Sequence, residues 1–190
     1  YLKYKINSEK SSAASCLFHM FSPKFLDGYI RDTEPKVIAM IKDLGIKYGN
    51  VMFQGFEENG KLYFHESGLR PGGDQCYIFT DKLNHINSLD LLIEFALTGK
   101  MTSCNAKERD NFKFSKYCCN YYIPLKAGEI SKIEGLEEAR AMPQVLQLLQ
   151  FKFVGDTISD TNSLDRVIFR IHVMDDTKEQ FARTLCKISD

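Results

Sequence analysis

The chain opens on two apolar runs, Tyr1–Ile6 and Ala13–Phe21, each of strand length and composition, joined by the polar stretch Asn7–Ser12. Ser22-Pro23 ends the second run, because proline removes a ladder N–H. His19 lies inside that run and reads as a half-buried strand residue rather than a ligand. The period then changes. Val37, Ile38, Ile41 and Leu44 recur at helical spacing behind Asp32-Thr33-Glu34-Pro35, which offers a capping side chain, an acidic first turn and an early proline. Gly45 suits the left-handed residue that closes such a helix. Next, Val51–Phe56 and Lys61–Glu66 flank Asn59-Gly60, a dipeptide suited to a type I′ turn, and so predict an antiparallel hairpin. Alternation places Met52, Gln54 and Phe56 on one face of its first strand, and Leu62, Phe64 and Glu66 on one face of the second. A turn centred on Asn59-Gly60 pairs Glu58 with Lys61, Phe56 with Tyr63 and Gln54 with His65. A one-residue bulge would set Gln54 beside Glu66 instead, and the sequence leaves both registers open.

Ser88 is the expected cap of a second helix over Leu89–Thr98, ended by Gly99, with Leu89, Leu92, Ile93 and Ala96 as its apolar stripe. Asp90 and Glu94 share a face of it and read as solvated rather than cation-binding. Thr102–Ser115 is polar and charged: a crossover loop, and the nearest thing to a domain boundary. Beyond it the texture is strand-rich. Strands are expected over Lys116–Leu125, Glu129–Ile133, Val145–Val154 and Arg166–Met174, with a short helix over Gly135–Arg140. Gly155-Asp156 reads as a turn, and Asp156 as its turn-maker. Thr177-x-x-Gln180 is a capping box before a last helix carrying Phe181, Leu185 and Ile188 on one side. Strands and helices in this order fit an α+β class, with helices packed on antiparallel sheet.

Composition narrows the function. A 44% hydrophobic fraction in 190 residues is enough for a packed core. Lys plus Arg and Asp plus Glu are equal at 25 each, so there is no electrostatic footprint for nucleic acid or an anionic membrane. No apolar run approaches the ~20 residues of a membrane span, and no secretory leader is visible, which together suggest a cytoplasmic protein. The six cysteines (Cys16, Cys76, Cys104, Cys118, Cys119, Cys186) form no Cys-x-x-Cys pair and read as free thiols of a reducing compartment.

The chemistry concentrates at the end of the hairpin. Glu66 offers a hard oxygen ligand, Arg70 a bidentate phosphate binder, and Gly72-Gly73 a backbone free to approach a ligand closely. The stretch from Gln54 to Arg70 resembles the carboxy-terminal half of the ATP-grasp fold, as in carbamoyl-phosphate synthase large chains, biotin carboxylases and related carboxylate–amine ligases. That family carries Gln or an acid on one strand and a Glu-x-Asn-x-Arg run on the next. The matching positions are Gln54, Glu66, Gly68 and Arg70, with Gly68 standing where the family has Asn. A strand-rich extension is also similar, through Pro124–Gly135 and Val154–Ile158, so the resemblance covers essentially the whole chain.

The resemblance implies ATP and Mg²⁺ as cofactors, with Mg²⁺ held by Glu66 and Gln54. It implies ATP phosphate contacted by Arg70, which would be the catalytic residue, and backbone contacts from Gly72 and Gly73. It further implies that residues 1–101 are the second half of a grasp domain and residues 116–190 its extension, joined by the loop 102–115. No Gly-rich phosphate cradle precedes Gly49, and the chain starts abruptly on Tyr1. The expected partners are therefore the amino-terminal half of the same enzyme, ATP, and small carboxylate and amine substrates, and the fragment alone is expected to be inactive. Lys10, Lys24 and Arg31 are further cations, read as solvated. Two alternatives stand beside the ligase. One is a degenerate grasp module that binds without turnover, favoured by Gly68; the other is an interaction domain that oligomerises through residues 116–190.

Overall fold

The structure is a computed structural model that describes residues 2–6, 15–21, 24–160 and 164–189, and their side chains except those of residues 2–6, 15–17 and 164. The expected Asn7–Ser12 connection, the start of the second strand and the Ser22-Pro23 break lie outside the described residues. In chain order the elements are β1 (Leu2–Ile6), β2 (Ser15–Met20), α1 (Leu26–Gly28), a π turn (Tyr29–Thr33), α2 (Glu34–Asp43), β3 (Met52–Glu58), β4 (Lys61–Gly68), α3 (Tyr77–Asn84), α4 (Ser88–Thr98) and α5 (Ala106–Arg109). There follow β5 (Tyr117–Pro124), β6 (Gly128–Glu129), α6 (Leu136–Arg140), β7 (Val145–Gln150), β8 (Thr157–Ile158), a 3₁₀ turn (Leu164–Arg166), β9 (Val167–Asp175) and α7 (Lys178–Ser189). The chain divides into two compact units, Tyr1–Ser22 with Phe114–Asp190, and Pro23–Lys113.

The first unit is built on a five-stranded antiparallel sheet in the order β1-β2-β5-β9-β7. The second opening strand pairs with a strand from far along the chain: Phe18 lies opposite Tyr121 and Met20 opposite Cys119. Such non-local pairing leaves no local signal. One face of the sheet buries Cys119, Ile171 and Val173 against Phe181, with Leu185 and Ile188 of α7 packed beside them. This is the stripe expected for the last helix, and Thr177 caps it, accepting from Gln180 N at 3.2 Å and donating to Gln180 Oε1 at 3.1 Å. Truncating a side chain as enclosed as Phe181 costs ~3–5 kcal/mol. Alternation turns His19, Asn120 and His172, which are cross-strand neighbours, away from that core, and all three are buried.

Two expected strands are shorter than the apolar pattern suggests. Of Glu129–Ile133, Glu129 pairs in β6 with β8, and Ile130 adds backbone hydrogen bonds to Asp156 O and from Gly155 N. Val145–Val154 ends as a strand at Gln150; Phe151 N adds one last bond to Ile168 O of the neighbouring strand, and the chain then turns at Gly155 (φ +95°). Asp156 makes that turn: its Oδ2 accepts from Phe153 N at 2.8 Å.

The second unit begins with helical residues earlier than expected. Asp32-Thr33 is not a helix start. Helical turns run from Leu26, the Asp32 carboxylate is engaged by Arg31 at 2.6 Å, and Thr33 makes no side-chain cap. Glu34 N donates to Tyr29 O, five residues back. The widened turn accommodates Pro35, which has no N–H to give and whose ring would crowd a carbonyl four residues behind it. Gly45 (φ +72°) closes α2 as expected, with Ile46 N donating to Ile41 O.

α4 is capped by Asn87, not Ser88: Asn87 Oδ1 accepts from Leu89 N at 3.0 Å and Asp90 N at 3.3 Å. Glu94 is not merely solvated. It accepts from Thr102 N, Thr102 Oγ1, Ser103 N and Ser103 Oγ at 2.6–3.2 Å, tying the loop after α4 back to the helix. The Ser103 hydroxyl, then the two backbone N–H groups, hold its carboxyl down to about 2. The run after Gly73 forms α3, anchored by the fully enclosed Phe79. Cys76, Cys104, Cys118, Cys119 and Cys186 are free thiols, and burial pushes Cys118 up to about 12. Among the described residues no helix is long and apolar enough to cross a membrane.

Candidate functional site

The hairpin β3–β4 forms as the dipeptide predicts. Asn59 (φ +52°) and Gly60 (φ +78°) both take positive φ, and Glu58 pairs with Lys61. Of the two registers the sequence leaves open, the structure takes the bulged one. The register shifts between Gln54 and Gly55, which puts Gln54 opposite Glu66 and Met52 opposite Gly68.

Gly55 stands at the bulge, where β4 carries the extra residue, His65. A Cβ there would sit 2.5 Å from Tyr63 O and 3.1 Å from Phe64 Cδ1, so only a residue without one fits. The bulge has a second effect. Because the extra residue belongs to β4, Met52, Gln54 and Phe56 share a face of β3 as expected, whereas Leu62, Phe64 and Glu66 do not share one: Phe64 lies opposite Gly55 and Glu66 opposite Gln54. Phe56 stacks on Tyr63 (5.4 Å between ring centroids) and lies over His65 (6.4 Å).

At the end of β4, Arg70 Nη2 lies 3.3 Å from Glu66 Oε1, and Arg70 Nη1 donates to Pro71 O at 3.1 Å. The Arg70 side chain folds over Gly68, where an added Cβ would touch Arg70 Cγ at 3.4 Å. Gly68 therefore leaves the arginine stem room to reach back to the glutamate. Both charges are about half exposed, at 53% and 47%. Such a pair contributes little to stability and leaves both groups available to a ligand. At Gly72 a Cβ would stand 2.8 Å from Asp74 Oδ1, so the carboxylate would have to shift; at Gly73 a Cβ would meet nothing within 4 Å. A carboxylate facing a carboxamide across a strand pair is an all-oxygen donor set, and it suits a hard divalent cation such as Mg²⁺. The guanidinium beside it suits phosphate.

Sequence reasoning missed Gln75. It holds a left-handed backbone (φ +56°) two residues after Gly73, and its Oε1 is buried with no hydrogen-bond donor among the described residues. Nothing in its residue type signals either property.

No protein-family model and no curated protein sequence matches the chain. Solved structures do. The chain is similar to the L-amino acid ligase from Bacillus licheniformis (22% identity, TM-score 0.75), covering 99% of this chain and 46% of that one. It is similar to phosphoribosylglycinamide synthetase from Anaerococcus prevotii (18%, TM-score 0.74), covering 98% and 46%. A third likeness is to the phosphoribosylaminoimidazole carboxylase ATPase subunit from Aquifex aeolicus (12%, TM-score 0.58), covering 98% and 48%. The chain thus spans a little under half the length of each of these proteins. At these identities the likeness speaks for architecture, and the architecture of this chain is the ATP-grasp fold.

Proposed function

We propose that the chain is the carboxy-terminal portion of an ATP- and Mg²⁺-dependent carboxylate–amine ligase. The observation that carries this reading is the bulge that seats Gln54 opposite Glu66, with Arg70 reaching the same carboxylate at 3.3 Å, on a fold shared with ligases. In the proposed reaction a substrate carboxylate oxygen attacks the γ-phosphorus of ATP and ADP departs. The amine nitrogen then attacks the acyl carbon, phosphate leaves with the C–O bonding pair, and the amine gives up a proton.

Glu66 and Gln54 would hold Mg²⁺, which supplies charge neutralisation for the transferring phosphoryl group. Arg70 binds phosphate oxygens through two N–H groups and stabilises their charge as it shifts. Gly72 and Gly73 let backbone come close to the reacting group. The fold likeness to a ligase for L-amino acids and the sequence resemblance to carbamoyl-phosphate synthase leave two acid classes, amino acids and bicarbonate. The missing amino-terminal half would supply the remaining nucleotide contacts, so the 190 residues alone would not turn over.

The test is ADP release by the natural full-length polypeptide, with MgATP and either bicarbonate or pooled L-amino acids, comparing wild type with Glu66→Ala and Arg70→Ala. Acid-dependent ADP release that drops at least about a hundredfold in both variants supports the ligase, in keeping with the loss of a transition-state charge contact. Full activity in Glu66→Ala refutes it. The second reading, a module that binds nucleotide without turnover, has Gly68 in its favour, since glycine brings no side-chain oxygen to the site. Nucleotide binding without ADP release in the full-length protein would select it.

A further inference from the structure

We infer that α4 is the surface on which the amino-terminal half of the proposed ligase packs, an inference that rests on the ligase reading above. Leu89, Leu91, Leu92, Ile93, Phe95, Ala96 and Leu97 make α4 apolar over roughly two-thirds of its circumference, at about 100° per residue. The polar remainder, Asp90, Glu94 and Thr98, lies together on one side, and the Glu94 carboxylate is engaged by Thr102 and Ser103. A helix apolar nearly all round belongs in a protein interior. Yet no residue of α4 is buried: Leu89, Ile93, Phe95 and Leu97 are exposed, Leu97 by 80%. Phe95 meets Tyr48 at 6.1 Å between ring centroids. Helical spacing turns the stripe of Leu89, Ile93, Ala96 and Leu97 away from that contact.

The unit that carries α4 needs such a cover. Among the described residues of Pro23–Lys113, Val37 and Phe79 are the buried apolar side chains, and α2 leaves Ile38, Met40 and Leu44 exposed as well. A unit that encloses so little apolar surface draws the rest of its core from another body. The size of the similar solved structures supplies one: this chain covers 46%, 46% and 48% of them, so a polypeptide of their length holds a further half of comparable mass. Being tethered, that half meets α4 at a high effective concentration and stays in place on dilution. A second copy of this chain would cover α4 only while the dimer persisted, and would leave the unit short of a core at low concentration. The amino-terminal half is therefore the occupant, held by an aliphatic stripe rather than by charge.

The test uses the natural full-length polypeptide. Leu97→Cys keeps a small uncharged side chain at the most exposed position of the stripe, and maleimide labelling is read by mass spectrometry on the peptide that carries α4. We expect labelling of the folded protein to run at least about a hundredfold slower than labelling of the unfolded chain, and to stay so on dilution. Ile93→Cys, one turn back on the same stripe, reads the same protection independently. A photo-crosslinking residue at position 97, with isotopically heavy and light proteins mixed, should join α4 to peptides of the amino-terminal half of the same molecule. Labelling at the unfolded rate in both variants overturns the inference. Protection that fades on dilution, or crosslinks between heavy and light proteins, overturns it in favour of a second copy. Crosslinks confined to residues 1–190 overturn it by placing the cover within this chain. Absence of acid-dependent ADP release in the wild type refutes the ligase itself, and leaves labelling and crosslinks to be read separately.

Discussion

Gly55→Ala is the most direct probe of how the site is assembled. The added methyl would stand 2.5 Å from Tyr63 O and 3.1 Å from Phe64 Cδ1. The first distance lies well inside van der Waals contact, and its partner is backbone, which cannot rotate away. Overpacking of this kind costs ~1–3 kcal/mol. In a hairpin exposed along most of its length, the strain has an outlet short of unfolding, which is to expel the bulge. At ~1.4 kcal/mol per tenfold, the bulged register would lose about 5- to 150-fold in population against the flush one. In the flush register Gln54 faces His65, and a one-residue slip moves it off the face that carries Glu66. NMR reads this directly: wild type should show cross-strand contacts between Gln54 and Glu66, and Gly55→Ala should show Gln54 against His65. Mg²⁺–nucleotide affinity of the full-length protein should fall with the same variant. Gly55→Ala chains that keep the Gln54–Glu66 contact, with unchanged hydrogen-exchange protection across the hairpin, would refute this account of the bulge.

Asn87→Ala should cost ~1 kcal/mol in urea unfolding while Ser88→Ala costs a few tenths, because only Asn87 accepts from the free N–H groups of α4. Glu94 titrates lower folded (about 2) than its ordinary 4.5, so its contribution is complete above pH 4.5 and is lost as pH falls toward 2. Protection of the Thr102 and Ser103 amides, measured against their intrinsic exchange rates, should fall across that window, and in Glu94→Ala it should be low at every pH. Burial raises the Cys118 thiol to about 12, so at pH 8 iodoacetamide should label exposed Cys186 and spare Cys118 until the chain is unfolded. The same shift means that the stability gained by burying the neutral Cys118 thiol is complete below pH 9 and declines as pH rises toward 12.

What the sequence made legible was local. Asn59-Gly60 announces its turn because only a few residues tolerate two successive positive φ angles. Thr177 and Gln180, Gly45 and Gly99 mark helix ends for similar short-range reasons. The failures have two sources. Some are local competitions that residue type cannot settle: Asn87 and Ser88 are both good caps, and Asp32 could cap a helix or pair with Arg31. Others depend on atoms distant in sequence. The Tyr63 carbonyl crowds position 55 at the bulge, and β2 finds its partner in β5, about a hundred residues on. Gln54, Glu66 and Arg70 could be named from the sequence, but whether Gln54 lay opposite His65 or Glu66 could not.

The pairing of β2 with β5 joins positions about a hundred residues apart. The thermodynamic cost of that separation is small, since doubling a closed loop adds only ~0.6 kcal/mol. Its cost in time is larger. At roughly 5–20 residues per second of synthesis, β2 leaves the ribosome about 5–20 s before β5 exists. Through that interval β1 and β2 can form only a two-stranded ribbon, which is marginal alone in water. Residues 23–113 have their own compact set of contacts and can settle meanwhile. The chain thus matures out of sequence order, and its first strands are among the last to find their permanent place.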